Sequence, residues 1–67
     1  MMDITTFAKL CHDMQMDLIR DSALLIESYK ENNEHVSIYF FNRFFIEVTE
    51  KDNKTEIIPF LRGYRVV

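Results

Sequence analysis

Cys11 and His12 stand side by side, the residue types of a thiolate–imidazole pair. Adjacent positions on a helix point about 100° apart, so the two side chains do not face each other there. Cys11 also falls within an apolar stripe, where it reads as a buried, inert thiol. Asp13, Asp17 and Asp21 follow at i, i+4 and i+8. Carboxylates at that spacing could hold a divalent cation or meet a basic partner. Lys9 and Arg20 lie within reach to neutralise them, so a solvated face is the simpler reading. No Glu-x-x-His pair completes a carboxylate-bridged metal site. Nothing ties His35 to His12, and no Ser/His/Asp order is persuasive. The single glycine, Gly63, cannot build a phosphate-cradling loop. One cysteine excludes an internal disulfide and a cysteine-rich zinc site. The sequence therefore names no catalytic, cofactor-binding or metal-ligating residue, and the expectation is a protein that is not an enzyme.

The residues with functional reach are aromatic. Seven of the nine aromatics lie between Tyr39 and Tyr64. On a strand, Tyr39, Phe41, Arg43 and Phe45 alternate onto one side, and Phe60 and Tyr64 fall opposite them across a hairpin. A face of rings with Arg43 among them suits a protein interface. The most direct occupant is a second copy, giving a homodimer; another protein is the next choice. Two further readings stand beside these. The face could stack single-stranded nucleic acid, against which the net charge of −3 weighs. Alternatively Asp13, Asp17 and Asp21 could dock a small acidic inhibitor on a basic host protein.

The elements that must position these residues follow from periodicity. Between Asp3 and Glu31 there is neither Gly nor Pro. Ile4, Phe7, Cys11, Met14, Leu18, Leu25 and Tyr29 share an arc of about 60–80° on a helical wheel. Asp3 is a good N-cap, and Asn32-Asn33 a good stop, because Asn tolerates the left-handed conformation. One amphipathic helix over 3–31 is predicted, with a kink or break at Asp21-Ser22 as the alternative. From Val36 the period becomes two, with β-branched and aromatic residues throughout. Lys51-Asp52-Asn53-Lys54 makes a hairpin turn that pairs Val48 with Ile57, Ile46 with Pro59 and Phe45 with Phe60.

Asn42 interrupts the first run. Either a bulge bends one long hairpin of 35–50 and 55–66, or Asn42-Arg43 is itself a turn and the strands form a three-stranded meander. Length favours the bent hairpin, because a strand of about 50 Å matches a helix of about 40 Å lying along it. The predicted fold is thus α+β over a single domain, 1–67, one long helix on a bent antiparallel hairpin.

Composition sets the rest. Apolar residues make up 48% and charged residues 28%, so the chain should fold rather than stay disordered. A chain of 67 residues is marginal alone. No apolar run reaches the length of a membrane span, and Met1-Met2-Asp3 does not open a signal peptide. A lone thiol fits the cytoplasm, so a small acidic cytoplasmic protein without cofactors is expected.

Overall fold

The computed structural model describes residues 2–61. Two short helices, α1 (Ile4–Ala8) and α2 (His12–Ser22), precede four strands, β1 (Leu24–Glu31), β2 (Glu34–Phe41), β3 (Phe44–Lys51) and β4 (Lys54–Phe60). The strands form one antiparallel sheet in chain order, β1-β2-β3-β4. The mixed α+β class holds. The single helix over 3–31 and the bent hairpin do not.

The helix fails at two places for two reasons. The Asp3 carboxylate caps α1 by accepting the Thr6 amide at 2.9 Å. The chain then tightens, with Lys9 and Leu10 donating to the carbonyls of Thr6 and Phe7, and Cys11 turns extended to start α2. The turn lets Gln15, buried in α2, donate to the Phe7 carbonyl at 2.9 Å. At Ala23 the backbone becomes extended again, next to the Asp21-Ser22 step where a break was the alternative. Beyond it Leu25 and Tyr29 fit a helical stripe, but they fit a strand as well. What decides is a partner: β1 gains a ladder against β2 from Glu31–Glu34 to Leu24–Phe40, interrupted by one bulge at Ile26, whereas an isolated last turn of helix gains little.

The meander is written in its turns. Asn32-Asn33, Asn42-Arg43 and Asp52-Asn53 all have positive φ at both residues, between 50° and 78°. Each is a two-residue hairpin turn that needs the left-handed region twice, which Asn and Asp tolerate. Asn32-Asn33 was expected as a helix stop on that same tolerance; here it joins two strands instead. Asn42-Arg43 is the turn weighed above as the alternative to a bulge, although it sits in a sheet of four strands rather than three. The molecule extends only 35 Å at its longest, too short for a strand of about 50 Å.

The turn at Asn42-Arg43 also reverses the side-chain parity of β2 against β3. Phe41 pairs with Phe44, Tyr39 with Ile46 and Ser37 with Val48, so odd positions of β2 share a face with even positions of β3. The helices cover that face. Phe7, Ile19, Phe44, Ile46 and Val48 form the core, with Tyr39, Phe41 and Ile57 packed against it. Phe7, Phe41 and Phe44 meet ring to ring, with centroids 5.6–6.2 Å apart. The Asn42 side-chain amide donates to the Met2 carbonyl and ties the N-terminal segment to the turn.

Candidate functional site

The opposite face of the sheet carries the second aromatic group. Its side chains come from even positions of β2 and β4 and odd positions of β3. From β1 it takes Leu24, Glu27 and Tyr29, the bulge at Ile26 having shifted the parity. Four rows cross the sheet. At the Asn42-Arg43 end, Leu24, Phe40, Phe45 and Phe60 lie side by side. Next come Glu27, Ile38, Glu47 and Ile58, then Tyr29, Val36, Thr49 and Glu56. The row at the far end holds Glu31 opposite Glu34 and Lys51 opposite Lys54.

The first row is a ring stack. Phe40 and Phe45 have centroids 5.2 Å apart, and Phe45 lies nearly parallel to Phe60 at 5.5 Å and 19°. The six phenylalanines thus split evenly: Phe7, Phe41 and Phe44 under the helices, Phe40, Phe45 and Phe60 on the other side. No described element packs over the second group. Leu24 is 63% exposed, Ile58 44% and Phe40 38%, while Val36 is buried between its sheet neighbours. The fourth row is charged and unneutralised: among the described residues neither Glu31, Glu34, Lys51 nor Lys54 makes an ion pair. Like charges directly opposite each other are unfavourable, and this face has two such pairs of opposite sign at one end.

The residues expected to share one interface are divided by this geometry. Phe45 and Phe60 lie on the open face. Tyr39 and Phe41 lie on the helix side, because the turn at 42–43 reverses the parity that a continuous strand would have kept. Arg43 is in that turn and exposed. Tyr64 lies outside the described residues. Phe40 takes the place given to Phe41, and the signal that finds it is the ten-residue spacing of Asn32, Asn42 and Asp52.

The other candidates are surface features. Cys11 is exposed rather than buried, because the break after α1 removes it from the apolar stripe. Arg20 bonds Asp17 at 2.8 Å and Asp21 at 3.3 Å, and these bonds hold its guanidinium above its usual pKa. Among the described residues no group of His, Cys, Asp or Glu is placed to hold a metal ion. Among the described residues no helix is long and apolar enough to cross a membrane.

One constellation has no signal in the linear order. The Ser28 hydroxyl and His35 Nε2 share a hydrogen bond of 2.6 Å, and His35 Nδ1 lies 3.5 Å from Glu50. The three residues come from neighbouring strands β1, β2 and β3 and resemble a nucleophile–base–acid relay. Such a relay works on donors preorganised for an oxyanion and on exclusion of water. Here the side chains of His35 and Glu50 are 44% and 56% exposed, on the helix side of the sheet. The geometry suits a cross-strand polar tie that holds β1 and β3 to β2.

The fold and site together define a small four-stranded meander with one face under helices and no described element over the other. No match was found among protein-family models, curated proteins or solved structures.

Proposed function

We propose that this chain is a small non-catalytic interaction module that works as a homo-oligomer, pairing through the open face of its sheet. The observation that carries the reading is the ring stack Phe40–Phe45–Phe60 with the exposed Leu24 and Ile58 around it. Contiguous apolar surface of this kind marks an interaction site in a small protein. Pairing over that face would also bury surface that a chain of 67 residues lacks on its own.

The sheet edges are poorer routes to the same end. On β1 the bulge between Leu25 and Glu27 interrupts the ladder that an added strand would extend. On β4 Pro59 has no amide to donate. Glu27, Glu31, Glu34, Glu47 and Glu56 on the open face disfavour phosphate, which argues for a protein occupant over a nucleic acid. An exposed lone thiol suits a reducing compartment, and the cytoplasm is the proposed location.

Light scattering between 5 and 100 µM tests the reading, a range of about the dissociation constant expected for a small interface. The expected mass is twice 8.1 kDa at the upper end. A mass of 8.1 kDa throughout would overturn it.

A further inference from the structure

We infer that two copies pack open face to open face about a twofold axis parallel to the strands, so that Phe40 of each lies over Phe45 of the other while Glu31 and Glu34 meet Lys54 and Lys51. This rests on the homo-oligomeric reading above and specifies its geometry.

The argument is one of symmetry. A twofold axis between two facing sheets can run along the strands or across them. An axis along the strands keeps each row opposite itself and exchanges β1 with β4 and β2 with β3. The aromatic row then meets the aromatic row: Phe40 opposes Phe45, and Leu24 opposes Phe60. In the charged row Glu31 opposes Lys54 and Glu34 opposes Lys51. An axis across the strands would instead set the phenylalanines on the charged row, burying charges against rings with no partner.

The charged row supports the first choice on its own account. Within one copy, Glu31 faces Glu34 and Lys51 faces Lys54, and each pair repels. In the twofold pair each of the four finds an opposite charge, twice over by symmetry. The row is self-complementary, as an interface between identical surfaces has to be. Glu27 and Glu47 are the adverse members, since they oppose Ile58 and Ile38 in the second row. Strands of seven or eight residues in a sheet of four give a footprint of about 500 Å² per copy, about 1,000 Å² in all. That lies at the small end of specific interfaces and fits a micromolar association, with the sheets aligned to within about 30°.

The test uses two variants of the full chain. One carries Glu31→Lys and Glu34→Lys, the other Lys51→Glu and Lys54→Glu. Each alone sets like charges against like across the axis, and its self-association is expected to weaken at least tenfold in sedimentation equilibrium. Mixed in equal amounts, one wholly basic row faces one wholly acidic row, and a heterodimer is expected at the concentration where the unmodified chain is dimeric. Each variant is first checked for its urea midpoint.

Because four like charges on one end could destabilise the fold, a second measurement keeps the rest of the chain intact. Cys11→Ser with Glu34→Cys is mixed with Cys11→Ser with Lys51→Cys and treated with a short bismaleimide, because facing sheets lie about 10 Å apart, beyond the reach of a disulfide. A cross-link joining the two species, faster than either forms alone, is expected. If the unmodified chain is dimeric but the charge variants self-associate unchanged and the mixed cross-link does not form, the copies pair elsewhere. The axis assignment then fails and the homo-oligomer stands. If the unmodified chain is monomeric throughout, both fail.

Discussion

Truncating two phenylalanines that the sequence alone does not distinguish should have unequal consequences. Phe7 is fully buried at 0% exposure, with ring centroids 5.6 Å from Phe44 and 6.2 Å from Phe41. Its ring is the main anchor of α1, a helix of five residues with no stability of its own. Phe7→Ala removes a ring whose burial contributes about 3–5 kcal/mol, cavity included. A chain of 67 residues has about 3–10 kcal/mol of stability in all. The variant should therefore be largely unfolded or close to it at 25 °C.

Phe45 is only partly buried, on the open face of one copy. Removing about 100 Å² of its buried apolar area costs about 2.5 kcal/mol. The assay is urea unfolding by circular dichroism at a concentration low enough to keep the chain monomeric, so that association does not enter. The slope with urea should be unchanged for Phe45→Ala. A loss below about 1 kcal/mol for Phe7→Ala, or equal losses for the two, would mean that the helices do not cover the Phe41–Phe44 face, and the face assignment would fall.

Four smaller expectations follow from local geometry. Arg43 holds φ at 78°, so Arg43→Gly should raise the thermal midpoint by a few degrees, the effect of about 0.5–1 kcal/mol in a chain this short. Gln15→Ala leaves the Phe7 carbonyl without its buried donor and should cost about 1–3 kcal/mol in urea unfolding. The bond from the Thr6 amide holds the Asp3 carboxyl below its usual pKa. Because the folded value is the lower one, the cap is fully effective above the ordinary carboxylate range and is lost as pH falls through the folded value. The protection factor of the Thr6 amide, its exchange rate referred to the intrinsic rate at the same pH, should fall below about pH 4, and Asp3→Asn should flatten that dependence. Finally, hydrolysis of p-nitrophenyl acetate should not fall by more than the reactivity of one exposed imidazole in His35→Ala, and not at all in Ser28→Ala; a larger loss at Ser28 would make the Ser28–His35–Glu50 tie a working nucleophile.

Much of the sheet is legible in the chain. Asp52-Asn53 fixes the β3–β4 register, and the pairs Val48–Ile57, Ile46–Pro59 and Phe45–Phe60 occur as their spacing implies. Asp3 caps a helix as its type implies. The long helix was misleading because Leu25 and Tyr29, four apart, satisfy a helical stripe and a strand equally. Asn32-Asn33 was ambiguous for a related reason: left-handed tolerance ends a helix with one residue and turns a hairpin with two.

The candidate face suffered from a single decision at Asn42. A bulge keeps Phe41 and Phe45 on one side, whereas a two-residue turn separates them and substitutes Phe40. Periodicity within a strand cannot decide between these, but the equal spacing of three Asn/Asp-led turns can. The Ser28–His35–Glu50 tie is set by register between strands, so no local pattern could have shown it.

The open face as a self-pairing surface is tested most directly by isotope-filtered NOE spectroscopy on an equal mixture of labelled and unlabelled chain at a concentration where association is complete. The expected result is intermolecular cross-peaks between the Phe40 and Phe45 rings, with none from Phe7 or Phe44. Intermolecular signals confined to the helices or to the edge residues Leu25 and Ile26, or none at all, would contradict it.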